Sequence, residues 1–95
     1  MSYKRFDRHE VFSMDDTSFV LDCIREIDKY DYDNGGAELA NMLFGLFDGF
    51  YYYEDIDQLI HKHLPVKMRN GLEAILKKIR VWTAVSEHYN TKALC

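Results

Sequence analysis

The feature that most constrains the fold is an apolar stripe of helical period that follows the only proline, Pro65. From Met68 to Val85 the apolar residues recur at steps of three and four, the period of one face of an α-helix. The pattern predicts a long helix that ends near Tyr89, with Pro65 at its first position, where the missing N–H costs nothing. The stripe consists of Met68, Leu72, Ile75, Leu76, Ile79, Trp82 and Val85.

Three earlier segments also have helical period and are joined by short connections. The first is predicted at about Asp16–Tyr30, the second begins near Gly36, and the third opens at Glu54 and ends at Pro65. We therefore predict an all-α fold, a small antiparallel bundle of about four helices. Residues 1–95 form a single helical domain in this interpretation, with an irregular arm over residues 1–13 and a frayed tail over residues 90–95. The predicted core contains Phe19, Ile24, Ile27, Leu39, Leu43, Phe47, Leu59, Ile60, Leu72, Ile75, Ile79 and Trp82.

The dipeptide Asp48-Gly49 leaves an alternative open, because it lies between two apolar runs that could both be strands. Asp-Gly in such a setting is a signal for a two-residue hairpin turn, which would make the fold α+β. We favour a helix that ends at Asp48-Gly49, because the residues from Ala37 to Leu43 are mostly strong helix formers at helical spacing.

No motif in the chain predicts catalysis, a metal or a cofactor. Cys23 lies in an apolar helical stripe, where a small buried hydrophobic residue is expected rather than a nucleophile. The run that begins at Asp31 resembles a calcium loop, but its twelfth position is Met42 instead of the required Glu. Asp57 and His61 are four residues apart and indicate a helix-stabilising pair. We therefore expect a protein that is not an enzyme.

Localisation is predicted from what the sequence lacks. The first ten residues contain no apolar signal region, and no apolar run approaches the roughly 20 residues that span a bilayer. Two cysteines do not form a disulfide framework. We expect a cytoplasmic protein without a membrane partner.

Charge is strongly segregated along the chain, although the net charge is only −4. The segment from Asp15 to Asp57 has a net charge of −10, and the segment from His61 to Cys95 has a net charge of +5. Such asymmetry is evidence about binding partners rather than about the fold.

Tyrosines and carboxylates are interleaved in the acidic segment, and this pattern predicts a surface that binds a basic protein. Tyrosine contributes large contact area at low entropic cost, and carboxylates select a basic partner. We expect a regulator or inhibitor, of the kind represented by phage inhibitors, immunity proteins and antitoxins. The predicted partner-binding residues are Tyr30, Asp31, Tyr32, Asp33, Phe50, Tyr51, Tyr52, Tyr53, Glu54, Asp55 and Asp57.

Two further hypotheses concern nucleic acid and self-association. The basic fourth helix could bind phosphates, although the acidic net charge argues against it. Opposite charges on the two halves predict a homodimer, because each half can pair with the other half of a second copy. Tyr51, Tyr52 or Tyr53 would lie at or near its interface, since one small core cannot bury all the aromatic rings of the chain. The residues of the nucleic-acid alternative are Lys67, Arg69, Lys77, Lys78 and Arg80.

Overall fold

A computed structural model describes residues 3–53 and 56–94, with side chains described as far as Ser86. The described residues form helices packed around one core, together with a small two-stranded antiparallel sheet, which confirms the predicted all-α bundle. None of these helices combines the length and the apolar character needed to cross a membrane. The elements are β1 (Lys4–Arg5), α1 (Arg8–Val11), α2 (Met14–Tyr30), a 3₁₀ turn (Tyr32–Asn34), α3 (Gly36–Phe47), β2 (Phe50–Tyr51), α4 (Ile56–His63) and α5 (Val66–Leu94).

Helix α2 begins two residues before its predicted start because Ser13 caps it. The Ser13 hydroxyl accepts a hydrogen bond from Asp16 N at 3.1 Å, and the Asp16 carboxylate accepts one from Ser13 N at 3.1 Å. This reciprocal capping box satisfies two backbone donors at the helix start. The predicted apolar face then lies in the core, through Val20, Cys23, Ile24 and Ile27.

Helices α2 and α3 form the most extensive contact in the fold, and two glycines make their tight connection possible. Gly35 has a left-handed φ of 95°, which suits a residue without a side chain. Gly36 N donates to Asp31 O at 2.9 Å, and a Cβ at this position would lie 2.6 Å from that oxygen. The close approach returns α3 along α2 and buries Leu39, Leu43 and Leu46.

The hairpin alternative at Asp48-Gly49 is not formed, because residues 36–47 are helical. Phe50–Tyr51 is nevertheless a strand, and it pairs with Lys4–Arg5 in antiparallel register. Phe6 N continues this pairing with a hydrogen bond to Gly49 O at 3.0 Å.

The N-terminal arm, predicted to be irregular, therefore contains ordered structure, namely β1 and α1. Phe6 anchors it in the core, and Phe12 packs against Phe6 with ring centroids 5.7 Å apart. A two-residue strand has too few positions to show alternation, so the sequence pattern did not reveal it.

Helix α5 begins one residue later than predicted and ends later as well. The Pro65 carbonyl accepts hydrogen bonds from Met68 N and Arg69 N, which places Pro65 at the N-cap rather than at the first helical position. The helix continues past Tyr89 to Leu94, so the segment predicted to fray is helical as far as that residue. Cys95 lies outside the described residues.

The core lies between α2, α3, α4 and α5, and most of the predicted core residues are buried in it. Four predicted members, Phe19, Phe47, Leu59 and Trp82, are half-buried and pack against its edge. Tyr51, which was predicted on the surface, belongs to the core instead.

Candidate partner-binding surface

The structure separates the predicted acidic-aromatic surface into two parts. Residues 30–33 lie at the end of α2, beside His63 at the end of α4. Residues 50–53 precede the start of α4. An eight-residue helix rises about 12 Å, so the two parts lie at opposite ends of α4 rather than in one patch.

The first part is open to solvent and is called here the acidic tyrosine patch. Tyr30 is 62% exposed and Tyr32 is 53% exposed, the two highest values among the described tyrosines. Lys29 lies over the Tyr30 ring, with its Nζ 5.2 Å from the ring centroid. The patch consists of Asp28, Tyr30, Asp31, Tyr32 and Asp33.

A recess of about 280 Å³ opens beside the patch, between the end of α2 and the end of α4. His63 is buried in its wall, and His63 Nδ1 lies 3.9 Å from Asp31 Oδ2. Two carboxylates and an aromatic ring line the same recess, which are the groups that hold a cationic side chain in proteins. Its lining residues are Glu26, Tyr30, Asp31, Lys62, His63, Leu64 and Pro65.

The second part of the predicted surface is built around Tyr51, which is only 1% exposed. Its hydroxyl accepts a hydrogen bond from Arg80 Nε at 2.7 Å, and Arg80 Nη2 donates to both Asp57 oxygens at 2.9 and 3.1 Å. Burial raises the pKa of the Tyr51 phenol, against the opposing effect of Arg80. Partial burial lowers the pKa of Arg80, but its bonds to Tyr51 and Asp57 outweigh this effect and the net pKa is raised. Tyr51 and Asp57 are therefore engaged inside the fold.

The remaining rings of the second part are contacted by residues of the chain's own arm. The Arg5 guanidinium lies 4.3 Å from the centroid of the Phe50 ring, and Lys4 Nζ lies 5.3 Å from that of Tyr53. Tyr3 packs against both Phe50 and Tyr52, at 5.3 and 5.8 Å between centroids. Tyr52 and Phe50 are half-buried as a result.

The arm thus leaves the acidic tyrosine patch as the more open part of the predicted surface. Two predicted binding residues, Glu54 and Asp55, lie outside the described residues. Sequence reasoning missed the covering residues Tyr3 and Arg5, and also His63. The alternation of cations and aromatic residues in the first twelve positions is the signal that could have indicated them.

The basic residues predicted to bind nucleic acid do not form one continuous face. Lys78 Nζ contacts Asp16 Oδ2 at 2.7 Å, and Arg69 Nε donates to Leu64 O at 2.8 Å. Arg80 bonds to Tyr51 and Asp57, as described above. Lys67 and Lys77 are exposed. Three of the five bases are therefore bound to other parts of the molecule.

No three potential metal ligands cluster among the side chains that the structure describes, those of residues 3–53 and 56–86. Asp57 and His61 each contact α5 rather than one another, because Asp57 binds Arg80 and His61 Nε2 lies 3.4 Å from Glu73 Oε1. Cys23 is fully buried, and burial raises the pKa of its thiol to about 12, with smaller contributions from Asp22 and Glu26.

Comparison of the chain with protein-family models, with curated proteins and with solved structures gave no match.

Proposed function

We propose that this chain is a non-enzymatic protein-binding regulator or inhibitor, and that its acidic tyrosine patch engages a basic segment of another protein. The observation that carries the proposal is the exposure of Tyr30 and Tyr32 among the carboxylates of Asp28, Asp31 and Asp33. Exposed aromatic residues that lie close together usually mark a contact surface. Tyrosine is also enriched among the residues that dominate binding energy.

The recess beside the patch supports a cationic ligand. Glu26, Asp31 and Tyr30 line it, and the two carboxylates outnumber the one lysine of the lining, Lys62. An arginine side chain is well suited to such a site, because its planar guanidinium hydrogen-bonds carboxylates and stacks on aromatic rings. The arm shows the same chemistry within the chain, where Arg5 lies over Phe50.

The proposed partner is therefore an arginine- or lysine-rich protein, and the proposed setting is the cytoplasm. A small acidic protein that covers a basic functional surface is suited to the role of a phage inhibitor, an immunity protein or an antitoxin. Association with such a partner is expected to be fast at low salt and slower at high salt, because long-range steering is screened.

Affinity capture from the native host tests this proposal. The wild type is expected to retain a basic protein at about 0.05 M salt and to release it at about 0.5 M salt. The triple variant D28N/D31N/D33N should lose this capture. The matched control is D15N/D48N, which removes exposed carboxylates at the opposite end of the α2–α3 pair and should still capture the protein. Equal capture by the patch variant and the wild type would refute the proposed surface.

Nucleic-acid binding by the basic residues of α5 is the less supported proposal. Arg69, Lys78 and Arg80 already bond within the molecule, so the phosphate-binding charge is reduced. A gel shift at low salt with mixed DNA and RNA tests it, and the absence of a shift at micromolar protein would eliminate it.

A further inference from the structure

A second surface lies away from the acidic tyrosine patch, on the middle of α5. It is a groove of about 550 Å³ between α5 and α1. Val81 and Val85 line it and are 55% and 49% exposed, and Val11 contributes from α1. The Val81 and Val85 side chains lie on a face of α5 that the described residues of the chain leave about half open to solvent.

The groove follows a second stripe on α5, which is apolar except at Lys78 and is distinct from the stripe that faces the core. Ala74, Lys78, Val81 and Val85 recur at steps of four, three and four, and all line the groove. The core stripe uses other positions, such as Leu72, Ile75 and Ile79. A helix with two such faces packs against its own domain through one face. Its second face is suited to packing against a helix of another chain.

The stripe is self-complementary about its centre, which lies between Ile79 and Arg80. Ala74 and Val85 are equally far from this centre, and so are Lys78 and Val81. If two copies of α5 packed antiparallel about a two-fold axis, the small Ala74 of each copy would lie level with the larger Val85 of the other. A two-fold interface requires this kind of match, because it uses the same patch on both chains.

Charge on the groove rim is matched in the same way. Glu10 accepts a hydrogen bond from Trp82 Nε1 at 2.7 Å, which fixes a carboxylate beside Trp82. The antiparallel pairing places Lys77 of one copy, which also lines the groove, level with Trp82 of the other copy and therefore near that carboxylate. Because the rim carries both signs, it fits a copy of itself better than a partner of uniform charge.

We propose that two copies of this chain form a homodimer by antiparallel packing of α5 in this groove. The interface differs from the predicted one at Tyr51, Tyr52 or Tyr53, because Tyr51 is buried and the arm contacts the rings of Tyr52 and Tyr53. The dimer does not depend on the acidic tyrosine patch, so either proposal can fail without the other.

Sedimentation equilibrium tests the dimer at about 100 µM protein, where a complex with a Kd of about 1 µM is almost fully formed. The wild type is expected at twice the chain mass of 11.3 kDa. The variant V81E/V85E should be monomeric, because it places four carboxylates in one apolar interface. V66E is the matched control, since Val66 is 62% exposed on the same helix but outside the groove, and it should remain dimeric.

Circular dichroism of each variant shows that loss of the dimer is not loss of the fold. A monomeric wild type would overturn the proposal. So would a V81E/V85E variant that sediments like the wild type, or a V66E variant that dissociates as fully as V81E/V85E.

Cysteine cross-linking tests the antiparallel geometry, with Cys95 replaced by Ser and the buried Cys23 retained. A mixture of A74C and V85C should form a disulfide under mild oxidation, because these positions lie opposite one another. Neither variant alone should cross-link, since eleven residues of helix separate equivalent positions by about 16 Å, beyond disulfide reach. Cross-linking of A74C with itself or of V85C with itself would refute the arrangement. So would the absence of a disulfide in the mixture of the two variants.

Discussion

At the scale of single residues, Arg80 shows how far a side chain's role depends on distant parts of the sequence. The sequence grouped it with other bases as a phosphate ligand, but it bonds to Tyr51 of β2 and Asp57 of α4. These partners lie 29 and 23 residues away along the chain. No local pattern connects the three residues, and only the packing of α5 against the sheet and α4 brings them together.

We predict that Y51F destabilises the fold by about 1.5–3 kcal/mol, because Arg80 Nε loses a buried acceptor and hydrogen bonds to charged groups are worth about this much. Urea unfolding measures the change. Y52F is the control, since the Tyr52 hydroxyl makes no hydrogen bond among the described residues, and it should change the stability by less than about 0.5 kcal/mol. Equal effects of the two substitutions would contradict a structural role for the Tyr51 hydroxyl.

Asp16 gives the fold a predictable acid sensitivity. Burial alone raises the pKa of Asp16, but hydrogen bonds from Lys78 and Ser13 and the charge of Lys78 outweigh it, so the net pKa falls below 3.8. A lowered pKa in the folded state adds stability above the unfolded value, and this stability is lost as the pH falls through the folded value.

We therefore predict that the wild type is more stable than D16N at pH 7 and that the difference disappears as the pH falls below 3.8. Urea unfolding of both proteins across this range measures the difference. D15N, which removes a neighbouring exposed carboxylate that does not bond Lys78, should lose less stability than D16N at pH 7. A constant difference between D16N and the wild type at all pH values would contradict the role of the ionised carboxylate.

Cys23 should be unreactive in the folded protein, because the thiolate is the reactive form and burial raises the pKa of this thiol to about 12. Treatment with iodoacetamide near pH 8 should leave Cys23 unmodified, as judged by mass spectrometry of its peptide. In urea the same peptide should be alkylated. Modification under native conditions at the rate found in urea would show that the site opens.

At the scale of elements, the sequence pattern predicted the helices but not the ordered structure of the N-terminal arm. Helical period over ten or more residues is a strong signal, so α2, α3 and α5 lie close to their predicted positions. The two-residue β1–β2 pairing depends on Phe6 docking in a core that forms elsewhere in the chain. This long-range docking also covers Phe50 to Tyr53, and for that reason half of the predicted surface could not be located from the sequence.

Gly49 joins α3 to the sheet, and we predict that it tolerates no side chain. Its φ is 82°, and a Cβ would lie 2.5 Å from the Phe6 carbonyl oxygen. G49A should cost at least about 2 kcal/mol in urea unfolding, from left-handed strain together with overpacking. G35A is the comparison, because Gly35 has a φ of 95° but only the His63 ring within reach, at 3.6 Å, and it should cost about 1 kcal/mol. A smaller loss in G49A than in G35A would contradict the close approach of the arm.

At the scale of the whole molecule, the segregated charge is used partly within one chain. Lys78 contacts Asp16 of α2, and Arg80 contacts Asp57 of α4. The basic α5 thus forms ion pairs with both α2 and α4 of its own bundle. Exposed ion pairs contribute little each, ~0–1 kcal/mol, so their main consequence is to reduce the charge left for a partner. The carboxylates of the acidic tyrosine patch are among those of the acidic segment that this packing leaves exposed.

Asp28 allows the structural and functional interpretations of the patch to be separated. It lies exposed in the last turn of α2, where the helix dipole disfavours a negative charge. We predict that D28N raises the free energy of unfolding by about 0.3–1 kcal/mol at low salt and that this gain shrinks at high salt, because the dipole interaction is screened. Urea unfolding at two salt concentrations measures the effect. D22N is the control, because it removes an exposed carboxylate paired with Arg25 in the middle of the same helix, and it should give no such gain.

If D28N instead lowers the stability, the carboxylate supports the fold, and the argument that the patch is kept for binding fails. If D28N is more stable but captures less of the basic partner, the chain retains a locally unfavourable charge for the sake of its proposed contact.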